Sequence, residues 1–350
     1  MYKKIIFNNN KNNNNTKKLL KYNKIDYKSL STYLFDHDTA VKKIGISNID
    51  NNIMKFRSKI TDNYSIGDAP NGGYLMCIAI NAAREYIGPI HRDPFTITAH
   101  FLNKSLENIE ADIYVQILNK AKSTTTVEIS IVQEDIIRSK FIGTFGDFKK
   151  MKGLTNKFLH EEAPLISPIH SNNIIDGSKF VRKTIGDKLK ISNTFDMLID
   201  SQDPFSRSVL KGKTLEKEAS INAWIKFSDG RMPCLRSLAF FSDALPPPIL
   251  CLAPSNWVPT IELTVHFHNR PQIEIDSNSN SNSNSNSNES QHIKDEFYDK
   301  ARNEGYLRAN FKATYCNNGL VTEDGKIWDA SGKILLASSR QYARLLSPKI

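Results

Sequence analysis

"TAHFLN" at residues 98–103 and "TVHFHN" at 264–269 carry the same Thr, His, Phe and Asn at matching places. Each sits inside a longer stretch, "FTITAHFLN" (95–103) and "WVPTIELTVHFH" (257–268), in which apolar and polar residues alternate. That period of two is the signature of a β-strand with one face buried. A six-residue match arises by chance often enough, so its weight depends on what surrounds each copy.

The surroundings repeat as well. Before the first copy lies "GGYLMCIAINAAREY" (72–86), a helix candidate apolar nearly all round, opened by "DAPN" with Asn71 at the N-cap position. After it come "ADIYVQILNKAKSTTTVEISIVQED" (111–135) and "RSKFIGTFGDF" (138–148), rich in β-branched residues and broken by short turns. The second half opens with a strand candidate, "SINAWIKFS" (220–228), and passes through "DGRMP" into an apolar helix predicted over 234–245. Strands are predicted at 259–268, 305–316, 319–328 and 333–346. Strand, buried helix, then four antiparallel strands is thus written twice.

This order predicts an α+β double hotdog: two curved antiparallel sheets, each wrapped around a long apolar helix. The expected organisation is a disordered Asn/Lys-rich tail over 1–30, an N-terminal hotdog over 31–150 and a linker over 151–177. A C-terminal hotdog follows over 178–348, interrupted by a disordered insert at about 272–292 that contains six Ser-Asn repeats. Neither low-complexity segment can bury apolar surface, and a surface loop tolerates such an insert because closure entropy grows only logarithmically with length.

The net charge is +10, but residues 1–25 hold seven lysines and no acid. About +3 remains for the other 325 residues, without the basic stripe of a nucleic-acid binder, so no nucleic-acid partner is expected. No run of about 18 apolar residues exists to span a membrane. Four scattered cysteines (77, 234, 251, 316) fit a reducing compartment and no metal-like spacing. A cytoplasmic location is expected, with a mitochondrion or peroxisome as alternatives. The basic tail lacks arginine, and the final Ser-Pro-Lys-Ile is a poor peroxisomal signal.

Several enzyme classes drop out with their motifs. Gly-x-Ser-x-Gly, His-Glu-x-x-His and a phosphate-binding glycine loop are all absent. Among the remaining residues, Asp243 in "FFSDALPPP" stands out. A carboxylate after a helix faces the negative end of its dipole, so Asp243 is either simply solvated or used chemically. Gly72 and Gly73 at a helix start could let a ligand carbonyl reach free N–H groups, or could equally close a turn or permit tight packing. Strict alternation in "TIELTVHFH" puts Thr260, Glu262, Thr264, His266 and His268 on one face and Ile261, Leu263, Val265 and Phe267 on the other. For Glu262 and His268 an exposed polar face is the plainer reading, and a lone Gln341 in the last strand is ordinarily solvated.

Taken together, "NGGYLMCIAINAA", "TAHFL", "FFSDALPPP", "WVPTIELTVHFH" and "EDGKIWDASGKILLASSRQ" resemble the thioesterase-like superfamily, the acyl-CoA thioesterase II type of double hotdog. The resemblance covers about residues 50–148 and 215–346. It implies that an Asp after the second helix, a Thr on the next strand and a Gln near the C-terminus hold the attacking water. These fall on Asp243, Thr260 and Gln341, with Thr264, Gly72 and Gly73 as possible support. The chain departs from the family strand in having Glu262 and Leu263 where Asp and His are usual. The implied activity is hydrolysis of acyl-CoA or a related acyl thioester to free acid and thiol, without metal or cofactor, in a homo-oligomer. The alternatives are an acyl-binding or scaffold protein on the same fold, or a hotdog hydratase or dehydratase. The first half offers Pro94 where the second has Thr260, and no Gln in its last strand, which predicts one site per chain.

Overall fold

A computed structural model describes residues 32–47, 52–156, 159–212, 216–254, 256–271 and 297–347. The Asn/Lys tail and the Ser-Asn insert lie outside the described residues. The chain begins with a short helix α1 (Leu34–Asp38) and strands β1 (Lys42–Ile46), β2 (Ile53–Ile60), β3 (Ser65–Ile66) and β4 (Ala69–Pro70). Helix α2 (Gly72–Ile87) follows, then β5 (Asp93–Phe101), β6 (Ile109–Lys120), β7 (Thr125–Gln133) and β8 (Ile136–Gly146). Next come β9 (Ile174–Asp176), α3 (Gly177–Ile185), β10 (Phe195–Asp200), β11 (Ser220–Phe227) and α4 (Ser237–Phe241). The last strands are β12 (Thr260–Phe267), β13 (Leu307–Asn317), β14 (Leu320–Trp328) and β15 (Leu335–Arg344). No helix among the described residues is long and apolar enough to cross a membrane.

Instead of the expected two sheets, thirteen strands form one, in the order β1-β2-β6-β7-β8-β5-β12-β15-β14-β13-β11-β10-β9. The two runs of strands join where β5 and β12 pair antiparallel. Each would otherwise present an unpaired edge, and pairing them satisfies both rows of backbone groups at once. From β2 to β11 the order reads the same from either end of the duplication. Thr98 and Thr264, the equivalent residues of the two repeats, stand directly opposite each other, their hydroxyls 2.9 Å apart. Ile97 pairs with Val265 and Ala99 with Leu263, so the register is that of a local pseudo-twofold axis through the threonine pair.

Both helices are not long. The first is: α2 has sixteen residues, of which Gly73 to Ala83 are all buried, and Asn71 caps it by accepting the Tyr74 N–H at 2.9 Å. Burying side chains such as Leu75, Met76, Ile78 and Ile80 contributes about 1.5–3 kcal/mol each. The second helix, expected over 234–245, is reduced to the five residues of α4, all buried. The backbone N–H and the hydroxyl of Ser242 both donate to Leu238 O, at 2.9 and 2.8 Å, and close the last turn. Beyond it, Pro246 disfavours helical backbone at Leu245.

The two helices lie antiparallel. Near one end Arg236 Nη1 donates to Asn81 Oδ1 at 2.7 Å and Cys77 Sγ approaches Arg236 O at 3.3 Å. Toward the other end a Cβ on Gly73 would come within 2.6 Å of Ala239 O and 2.9 Å of Phe240 O. The C-terminal end of α4 therefore rests on the N-terminal end of α2, with opposite dipole ends adjacent.

Candidate active site

Asp243 lies one residue past the Ser242 cap of α4, and the antiparallel packing delivers it to the start of α2. Its Oδ2 accepts the Gly73 N–H at 2.9 Å and the Asn71 Nδ2 at 2.9 Å, while its backbone carbonyl accepts Asn71 Nδ2 at 2.7 Å. Asn71 is thus fully used. One end of its amide caps its own helix and the other clamps Asp243. The sequence places this carboxylate at the wrong end of its own helix; the fold places it at the right end of another.

Burial raises the Asp243 carboxyl to about 6, and the Gly73 and Gly72 N–H groups and the Asn71 amide pull against that rise. Desolvation wins. The negative dipole end of its own helix, which acts to raise the carboxyl, belongs to a segment of only five residues, and the helix end that Asp243 meets acts in the opposite direction. Asp243 meets solvent through a cavity of about 430 Å³ that Thr260, Gln341 and Glu323 also line. Gln341 Nε2 donates to Thr260 Oγ1 at 2.8 Å. That bond leaves the Thr260 O–H and the Gln341 carbonyl oxygen available to a third group. Apolar walls include Leu75, Phe101, Leu245 and Phe311.

Thr260 reaches the cavity through an irregularity that alternation does not foresee. Thr260 pairs with Ala343 and Glu262 with Tyr342, so Ile261 is an extra residue, a β-bulge. It places Thr260 on the face of Leu263, Val265 and Phe267, all buried, rather than on the face of Glu262 and Thr264. Thr264 is consequently separated from the cavity. It donates to Glu262 and pairs with Thr98 on the outer face. The first repeat carries the same bulge, between Pro94 and Thr96.

Gly72 and Gly73 do lie at the site: the Gly73 N–H is bound to Asp243, and the Gly72 N–H pulls on the same carboxyl. Their missing side chains serve packing. A Cβ on Gly72 would sit 2.4 Å from the Phe101 ring and 3.0 Å from Asp243 Oδ2.

Glu323 is the residue that sequence reasoning missed. On β14 it stands opposite Gln341 of β15, and it is only 6 % exposed. Burial foremost, then the nearby charges of Asp243 and Asp324, hold its carboxyl well above the usual range. A signal was present, since strand alternation from Val321 puts Glu323 on an otherwise apolar face. The registers also identify the first-half counterparts. Gly143 faces Ile97 and Val127 as Gln341 faces Leu263 and Glu323, and Pro94 stands for Thr260. The polar cluster therefore has no copy there.

The model of the acyl-CoA thioesterase N-terminal domain matches residues 60–146, and that of the acyl-CoA thioesterase C-terminal domain matches 181–278. A candidate thioesterase II from Thermobifida fusca is similar in structure at 21 % identity, with a TM-score of 0.66 over 90 % of this chain and 98 % of that one. A hot-dog-fold protein of unknown function from Alicyclobacillus acidocaldarius gives 16 %, 0.64, 91 % and 100 %. For the acyl-CoA thioesterase II TesB2 of Mycobacterium marinum the values are 12 %, 0.56, 90 % and 99 %. No curated protein sequence matches the chain. The structural likenesses carry the fold, whereas the two domain matches, in order along just over half of the 350 residues, carry the family. The chain therefore belongs to the acyl-CoA thioesterase family, a double hotdog and a hydrolase.

Proposed function

We propose that the protein hydrolyses acyl-CoA thioesters with one water-activating site per chain, in which Asp243 is the base and Thr260 and Gln341 orient the water. The observation that carries this reading is the shared cavity. A carboxylate raised to about 6 and the hydrogen-bonded Thr260–Gln341 pair line the same apolar-walled space. At neutral pH Asp243 is largely ionised yet basic enough to accept a proton, which suits general base catalysis.

The water oxygen attacks the thioester carbonyl carbon while Asp243 takes the water proton. The carbon–oxygen π pair moves onto the carbonyl oxygen. On collapse that pair re-forms the double bond, the carbon–sulfur bond breaks and the thiolate takes the proton from Asp243. Acid and thiol are the products, and no other reactant is required. Two hotdogs spanning 31–150 and 178–348, joined by a linker at 151–177, are part of the same reading. A homo-oligomer is too: the outer sheet face carries exposed Ile142, Ile261 and Tyr342, the kind of surface that partners cover.

The test is free-thiol release from acyl-CoAs of short, medium and long chain by wild type and Asp243→Asn. Release by wild type that drops on substitution supports the reading. Binding without release across the panel overturns it in favour of an acyl-binding protein.

A further inference from the structure

Glu323 is a buried carboxyl with no evident structural task. Among the described residues its side chain makes no hydrogen bond or ion pair, although it is only 6 % exposed and lines the cavity. The charges that act on it are Asp243, which lines the same cavity, and Asp324, the next residue on its strand, which is bound to Arg340 at 2.7 Å. From β13 it faces Ala313, and from β15 the uncharged Gln341. Among the described residues no cation offsets its charge, so it keeps its proton and presents an O–H donor. The fold does not require a carboxyl at this place, because the register-equivalent residue of the other repeat is Val127.

The site has a matching need. Hydrolysis makes the thioester carbonyl oxygen an anion, and stabilising it takes a donor fixed in a water-poor setting. At the start of α2 the Gly73 N–H is bound to Asp243 and the Tyr74 N–H to Asn71, so neither is free for that oxygen. We propose that Glu323 is a further catalytic residue, whose carboxylic acid donates its O–H to the thioester carbonyl oxygen and holds the oxyanion formed when water adds. Glu323 keeps its proton throughout; Asp243 alone takes the water proton and passes it to the departing thiolate. The inference rests on the hydrolase reading and adds a donor for the oxyanion.

Two substitutions test it, Glu323→Val and Glu323→Gln, with thiol release followed from pH 6 to 9 and thermal melting of the full chain. Valine removes the donor, and kcat should fall by about 10²–10³-fold with KM little changed. Its melting temperature should equal or exceed that of wild type, because an unpartnered buried carboxyl is replaced by an apolar side chain. A merely structural Glu323 would instead lower the melting point. Glutamine restores an N–H donor that does not titrate, so kcat should return to within about tenfold of wild type. It should also remove any decline of the wild type toward alkaline pH. Wild-type kcat in Glu323→Val, or equal inactivity of both variants, overturns the role of Glu323. The two readings separate cleanly. If wild type is active, Asp243→Asn is not, and Glu323→Val matches wild type, only this inference fails. If wild type releases no thiol, both fail.

Discussion

The Asp243 carboxylate, one residue past the cap of α4, accepts the Gly73 N–H at the start of α2 across 170 residues of sequence, at 2.9 Å. This contact couples the two repeats and tempers the basicity of the candidate catalytic group. Burial raises the carboxyl, and the helix N-terminus limits the rise to about 6.

Asp243→Asn is expected to lower kcat/KM by about 10²–10⁴-fold, the usual range for a lost general base. In wild type the rate should climb with pH through about 6 as Asp243 ionises. A flat profile between pH 5 and 7 would contradict the assignment.

The same substitution should stabilise the fold at neutral pH. The folded carboxyl titrates near 6 against an ordinary 3.8, so ionisation is harder in the folded state. Below about pH 4 both states are protonated and the group costs nothing. As pH rises from 4 to 6 stability is lost, up to about 3 kcal/mol at pH 7. Asparagine removes that loss, and urea melts at pH 4 and 7 should show the gap between wild type and variant opening with pH.

Thr260→Val and Gln341→Leu are expected to be strongly coupled, since each is held by the other at 2.8 Å. Each alone should reduce kcat, and the double variant should be scarcely worse than either. A double-mutant cycle should give a coupling energy of about 0.5–3 kcal/mol, whereas additivity would separate their roles.

Thr264→Val should leave kcat within about twofold of wild type while costing about 1 kcal/mol of stability through the lost bond with Thr98. A large loss of activity would show that the outer face takes part in the chemistry.

Gly73→Ala should be more damaging than Gly72→Ala. At Gly73 a Cβ meets backbone oxygens of Ala239 and Phe240, which can yield only if the helices separate. At Gly72 the nearest atom belongs to the Phe101 ring, which can turn aside. A loss of about 1–3 kcal/mol is expected for Gly73→Ala, read by chemical denaturation.

Much of the architecture was legible because it is local. Period-two alternation marked the strands from β5 to β8 and from β11 to β15, and an apolar run behind Asn71 marked α2. The shortening of α4 was less legible, since apolar composition continues past the point where Ser242 closes the last turn. The candidate triad came from resemblance, and each of its members now has a physical setting the sequence alone did not supply.

By itself the sequence determined the repeat, the strands β5 to β8 and β11 to β15, the first helix and the asymmetry that leaves Pro94 and no glutamine in the first copy. Backbone propensity and side-chain period act between near neighbours, so they can be read along the chain. Only the tertiary structure decided that β5 and β12 fuse the strands into one sheet, and that a bulge at Ile261 turns Thr260 inward and leaves Thr264 outside. It alone brought Asp243 to Gly73 and set Glu323 opposite Gln341. Each of these depends on pairing register or helix packing between distant segments, where a one-residue shift changes the face a side chain occupies.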